Sequence, residues 1–329
     1  SPVSAKLTEL PPIAADLTAY TGLPGGQPGP FNNAAGFATV APSDPHFVIW
    51  EGRSEKGHSK PHGIWIRAYS PDYKIKSAIA QLTTDPCHGQ CRPLSVEVND
   101  VIHVFWRSTG GALNLRRVKK ALEKTDVAFV DAKPVTLAPK ASGIQVAAIG
   151  ATVLIAWHDG STSKFALLNS NKLKSGTMIS GTDANSAPVA IAAVSLAGSG
   201  DAGFFALFVC RKGKLHVEKV STAGANFGNT AEVGDCYTDK MLAATGQQGQ
   251  AIVLLRQPGN ATYVVSALKV QWASHGADAK PLGDLWQLGK MVTGSFIDIA
   301  LVRIDGANAF VAGWSGDHNS AGVFVRRFR

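Results

Sequence analysis

Phe47-Val48-Ile49-Trp50, followed after a turn by Gly63-Ile64-Trp65-Ile66-Arg67, is an apolar run ending in Trp and then an alternating run ending in a cation. The pattern returns as Ile102-His103-Val104-Phe105-Trp106 with Leu113-Asn114-Leu115-Arg116, and as Val153-Leu154-Ile155-Ala156-Trp157 with Lys164-Phe165-Ala166-Leu167-Leu168. It recurs without Trp at Phe204 to Val209 with Lys214 to Lys219, and at Ala251 to Leu255 with Tyr263 to Leu268. The last copy restores the Trp: Phe310-Val311-Ala312-Gly313-Trp314 with Gly322-Val323-Phe324-Val325-Arg326. Several strands per unit, recurring at about 50 residues, are the signature of radial β-sheets about one axis.

The fold expected is therefore all-β, a six-bladed β-propeller in one domain over residues 1–329. Blades are expected at approximately 31–86, 87–139, 140–186, 187–237, 238–293 and 294–329. The first strand of each unit should line the channel, as at Leu94 to Val98, Ile144 to Ile149, Val189 to Val194 and Ile297 to Ile304. The Trp-ending strand should be buried on both faces, which explains its near-continuous apolarity. Outer strands are expected at Lys74 to Leu82, Val127 to Leu137 and Leu173 to Ile179, and a short helix at Arg117 to Lys124. The sixth unit stops after its third strand and would leave an open edge. Residues 1–30 form a closing segment, in which Val3 to Leu7 or Ile13 to Tyr20 supplies the strand that completes the last blade.

The Phe-Val-x-x-Trp run, its Gly/Asp/Ser turn and the Gly-Val-x-Val-Arg-Arg-Phe run at Phe310 to Phe328 resemble the repeat units of secreted β-propeller proteins, as does Phe47 to Tyr69. The resemblance implies architecture. Six-bladed sialidase-type propellers share it, and Ser315-Gly316-Asp317-His318-Asn319 echoes their aspartate-box turn without its Thr and Trp. Sialidase activity is not implied.

Among 329 residues, 45% are hydrophobic and 17% charged, a globular composition, and no apolar run reaches the ~20 residues of a membrane helix. The net charge of +8 favours anionic partners. No Gly-rich phosphate loop precedes a helix, and no aromatic-interleaved nucleic-acid platform is present, so no cofactor and no nucleic acid are expected. Four cysteines are expected to pair as Cys210–Cys236 and Cys87–Cys91, in a secreted, periplasmic or cell-surface protein. The absence of an initial Met points the same way.

Arg67, Arg116 and Arg326 hold matching places on third strands, with Trp65, Tyr69 and His103 as stacking surfaces; such a set suits carboxylated or sulfated sugars. The alternative is a set of Arg stems covering neighbouring blades. A glycosidase would instead need two facing carboxylates. Asp85, Glu97, Asp100, Asp239 and Asp298 are candidates, Asp239 and Asp298 being best placed at inner strands. His58 and His62 flank Pro61, which opposes a helical His pair, and Asp317 to Gly322 lacks the bidentate acid of a calcium loop, so no metal site is expected. Asn260-Ala261-Thr262 is a glycosylation acceptor pattern. The leading expectation is an extracytoplasmic binding or scaffold module recognising an acidic glycan or a protein partner. The alternatives are a glycoside hydrolase or lyase with carboxylates at the channel mouth, and a structural subunit of a surface assembly.

Overall fold

A computed structural model describes residues 9–10, 38–41, 45–52, 63–70, 74–85, 91–169, 172–177, 188–195, 203–236, 242–247, 249–258, 263–274, 276–291, 299–304, 309–316 and 322–328. Every regular element among them is a strand. In chain order these are β1 (Glu9–Leu10), then β2 (Ala38–Ala41), β3 (His46–Gly52), β4 (Gly63–Tyr69) and β5 (Ala80–Thr83). There follow β6 (Leu94–Val98), β7 (Val101–Arg107), β8 (Leu113–Lys119), β9 (Val135–Ala138) and β10 (Ser142–Ile149). Next come β11 (Thr152–His158), β12 (Ser163–Asn169), β13 (Lys172–Thr177), β14 (Pro188–Val194), β15 (Phe204–Arg211), β16 (Lys214–Ser221) and β17 (Asn226–Asp235). The chain ends with β18 (Leu242–Gln247), β19 (Gln250–Pro258), β20 (Tyr263–Gln271), β21 (Lys280–Pro281), β22 (Trp286–Met291), β23 (Ile299–Ile304), β24 (Ala309–Gly316) and β25 (Gly322–Phe328).

Two compact units divide the chain: residues 16–151, and residues 1–15 with 152–329. In the first unit β2 to β5 form one antiparallel meander and β6 to β9 a second, with β10 following. Their inner strands run side by side, β2 against β6 and β6 against β10. In the other unit β11 to β13 pair in order, β14 to β17 form a meander, and β18 to β20 continue into β21 and β22, which both pair with β20. Inner strands again adjoin, β14 against β18 and β18 against β23. Sheets that meet at their first strands are blades in the propeller manner.

The packing follows from the sequence pattern. On β3, Phe47, Val48, Ile49 and Trp50 are all at most 2% exposed, because each face meets apolar neighbours. Phe47 and Ile49 join Ile64, Ile66 and Ala68 of β4 against Ile102, Val104 and Trp106 of β7 and Val118 of β8. Val48 and Trp50 pack with Trp65 and Tyr69. In the other unit Ala206, Phe208 and Cys210 of β15 meet Ala251, Val253 and Leu255 of β19, and Phe204 makes an edge contact with Trp272 at 5.3 Å. Where β14 and β18 converge, a side chain at Gly246 would collide with the Ala193 carbonyl. Only glycine admits that approach.

The last sheet gains an N-terminal strand, as expected, and its described residues lie between the two places expected to supply it. Glu9 and Leu10 pair with Phe328 and Arg327, so β1 extends the sheet β23-β24-β25 to four strands. Val3 to Leu7 and Ile13 to Tyr20 lie outside the described residues. The expected helix at Arg117 to Lys124 is not formed. Arg117, Val118 and Lys119 pair with His103, Ile102 and Val101, and this ladder claims the backbone groups a helix would need. The Val127 to Leu137 strand is interrupted: Val118 bridges Phe129, Val130 N–H donates to Arg117 C=O, and β9 resumes only after Pro134, which has no N–H to contribute.

Cys210 and Cys236 are bridged, joining the end of β15 to the residue after β17 across a separation of 26. Cys91 is also disulfide-bonded; Cys87 lies outside the described residues.

Because β1 covers one edge of β25, removing residues 1–15 should lower Tm by roughly 5 °C, on a scale of about 2–4 °C per kcal/mol, and promote self-association. Calorimetry and concentration-dependent light scattering check this; an unchanged Tm would show that the pairing contributes nothing.

Candidate functional site

The 16–151 unit contains a cleft of about 490 Å³, lined by β5 and its continuation to Asp85, the β7–β8 turn, β8 and the start of β9. That volume lies within the ~300–1,000 Å³ of ordinary ligand clefts. Local backbone irregularity shapes it. The β4–β5 ladder shifts register between Ile64 and Trp65, and the β8–β9 ladder between Leu113 and Asn114, irregularities of the kind that bend a strand locally. The β7–β8 turn is held by Ser108 N–H donating to Ala112 C=O at 2.8 Å and by Ala112 N–H donating to Ser108 Oγ at 3.0 Å. Gly111 takes φ 91° there, a conformation that suits glycine.

The lining is polar. Thr136 Oγ1 donates to Asn114 Oδ1 at 2.8 Å, and the Asp85 N–H donates to Thr83 Oγ1 at 3.1 Å. Gln81 Nε2 is buried without an acceptor among the described residues.

Arg116 reaches the cleft, but its guanidinium is largely committed. Nη1 donates to the carbonyls of Gln81 (3.1 Å) and Leu82 (2.8 Å) in the preceding sheet. Nε donates to Asp131 C=O at 3.4 Å and Nη2 to Ala132 C=O at 3.3 Å. Its carbon lies 3.8 Å from the centre of the Phe129 ring. The next residue, Arg117, points to the other face and makes an ion pair with Asp131, Nη2 to Oδ1 at 2.6 Å, while its own N–H donates to Oδ2 at 2.8 Å. Burial would push the Asp131 carboxyl up; the hydrogen bonds and charge of Arg117 outweigh it and hold the group below its ordinary value. Nearby His103 is pushed down by burial. Together Arg116, Arg117 and Phe129 pin the segment that leads to Pro134, which lines the cleft.

Cross-strand register bears on the matched arginines. Trp50 faces Trp65, Trp106 faces Asn114 and Trp314 faces Phe324, and in each case the arginine follows two residues later, as Arg67, Arg116 and Arg326. Arg67 Nε donates to Ser77 C=O at 3.1 Å; nothing is described of the Arg326 side chain. The rings expected to stack on a ligand are buried instead. Trp65 is 8% exposed and Tyr69 fully covered, because they pack with Val48 and Trp50, and His103 is 8% exposed beside the Phe105 ring. Among the acids, Glu97 and Asp100 face Lys120 at 3.0 and 3.7 Å, and Asp85 lines the cleft. Asp239, Asp298, His58, His62, Asn260 and the Asp317 turn lie outside the described residues. No cluster of metal-ligating side chains occurs among those described. Of the cleft residues, Gln81, Asn114 and Thr136 carried no signal in the sequence, since a register shift brings them together.

No protein-family model matches the chain, and no curated protein matches it in sequence. Solved structures do match in fold. A triple arginine-to-alanine variant of AofleA from Arthrobotrys oligospora aligns over 90% of this chain and 83% of its own, at 13% identity and TM-score 0.56. A polysaccharide lyase of family PL25, an ulvan lyase bound to GlcA(1-4)Rha3S, aligns over 89% of this chain and 78% of its own, at 11% identity and TM-score 0.50. The GH43 endo-arabinanase from Bacillus licheniformis aligns over 72% and 92%, at 10% identity and TM-score 0.42. At these identities the likeness to the first two concerns fold alone, an all-β, propeller-type architecture.

Asp131→Asn should destabilise the protein at neutral pH by about 2 kcal/mol, the scale of a hydrogen bond to a charged group. A carboxyl held low in the folded state stabilises above its unfolded pKa of about 3.9 and loses that contribution as pH falls through the folded value. The gap between wild type and variant should therefore close in acid. Denaturant titrations at pH 7 and pH 3 check this; a gap that widens in acid would contradict the ion-pair account.

Proposed function

We propose that this protein is a carbohydrate-active β-propeller that cleaves a polysaccharide outside the cytoplasm, by hydrolysis or elimination. The same reading takes the sheets as six blades of one ring closed by β1. The observation that carries the proposal is the 490 Å³ cleft, whose amides, hydroxyls and Asp85 carboxylate are groups that bind sugars. The fold likeness to a polysaccharide lyase over 89% of the chain supports it, and so does the Cys210–Cys236 bridge, which suits an oxidising compartment.

A hydrolase needs two facing carboxylates. We assign that pair to Asp239 and Asp298, and the glycan-binding cations to Arg67, Arg116 and Arg326. Hydrolysis adds water across the glycosidic bond and leaves a new reducing end. Elimination removes a proton beside a uronate carboxyl together with the leaving oxygen, creating a double bond and consuming no water.

One observation favours a second reading, a binding module without turnover. Among the described cleft residues Asp85 is the only acid.

Incubation with a panel of neutral and uronate polysaccharides separates these readings. New reducing ends without ultraviolet absorbance are the expected result for a hydrolase, and absorbance from an unsaturated uronate the result for a lyase. Asp239→Asn or Asp298→Asn should then reduce a hydrolytic rate at least a hundredfold, in the range of lost acid–base catalysis of about 10²–10⁴. Retention on a glycan with neither product supports the binding module. No cleavage and no retention anywhere would overturn the carbohydrate reading.

A further inference from the structure

We infer that the cleft beside β5 and β8 takes a neutral, hydroxyl-rich sugar residue and discriminates against uronates, with the Asp85 carboxylate as its principal anchor. This rests on reading the cleft as a glycan site, takes the hydrolytic or binding branch of that reading over elimination, and runs against the simplest expectation from a net charge of +8.

Among the described cleft residues two are charged, Arg116 and Asp85, and they are used in opposite ways. A guanidinium has five N–H donors and recognises a carboxylate best through two adjacent ones. In Arg116, four separate donor contacts run to the carbonyls of Gln81, Leu82, Asp131 and Ala132. One N–H remains, too few for a paired grip, and the Phe129 ring covers a face of the group. A uronate entering here would have to break contacts that join two sheets.

Asp85 is in the opposite condition. Its backbone is set by the bond to Thr83 Oγ1, while its carboxylate has no partner among the described residues. An ionised carboxylate accepts only, so it suits the donor hydroxyls of a sugar and repels a second carboxylate. Around it stand groups that pair with neutral hydroxyls. Thr136 occupies the Asn114 carbonyl, leaving the Asn114 amide nitrogen to donate, and the hydroxyl residues Thr84 and Ser108 line the same cleft. The cleft therefore offers one committed cation, one available anion and neutral donors.

Affinity electrophoresis of the whole chain tests this, through gels containing galactomannan, arabinan, xylan or polygalacturonate at low and physiological salt. Retention that disappears at physiological salt counts as general attraction to a basic protein. At physiological salt, the expected result is retention by at least one neutral polymer and none by polygalacturonate. Asp85→Asn, isosteric at a partly exposed position, should weaken neutral retention about tenfold with Tm unchanged. Asp85→Lys should abolish it and create salt-resistant retention by polygalacturonate. Equal or stronger retention of wild type by polygalacturonate overturns the selectivity while leaving the carbohydrate reading intact. Neutral retention unaffected by Asp85→Asn overturns the assignment to this cleft. Absence of retention in every gel overturns both.

Discussion

Burial of both faces of the second strand, seen in β3, β7, β11, β15 and β19, is the constraint on which the rest of this structure depends. A strand covered on one face tolerates polar residues at alternate positions, whereas Phe47 to Trp50 and Phe204 to Val209 have none to spare. Each such strand is stable only if sheets stack on either side of it. Stacked sheets that also touch at their inner strands must converge, and convergence demands small residues there. Ala190, Ala192, Ala193 and Gly246 at the β14–β18 contact meet that demand. The repeat is thus a consequence of packing as much as of sequence duplication.

Stacked sheets leave gaps where their outer strands diverge, and the treatment of one gap shapes the candidate site. Arg116 bridges it with donors to carbonyls of both walls, and Arg117 on the opposite strand face holds Asp131. Adjacent arginines thereby do different work because successive strand residues point to opposite faces. A cation whose donors are shared among backbone carbonyls is a structural member that also borders a cleft. Its charge remains, but the directional capacity that would select an anion is largely spent.

The cleft also shows why net charge is a weak guide to ligand chemistry. Many basic side chains of this protein are matched locally, as Lys120 is by Glu97 and Lys214 by Asp235 and Glu232. The residual positive charge describes long-range attraction. Selectivity at short range depends on which donors and acceptors are still available, and at this cleft the available charge is the carboxylate of Asp85.

By itself the sequence determined the all-β class, the positions of the second and third strands, the need for a closing strand and the matched places of Arg67, Arg116 and Arg326. These are local or periodic properties: side-chain alternation, apolar continuity and turn composition leave a direct trace in residue order. Only the tertiary structure decided that Arg117 to Lys119 is strand, since cross-strand pairing with Val101 to His103 overrides a short helix-forming run. It also placed the closing strand at Glu9–Leu10, buried the rings of Trp65, His103 and Tyr69, and brought Gln81, Asp85, Asn114 and Thr136 around one cleft. Those outcomes depend on register shifts and on what packs against each strand face. Both are set by contacts between residues far apart in the chain, and no window of sequence contains them.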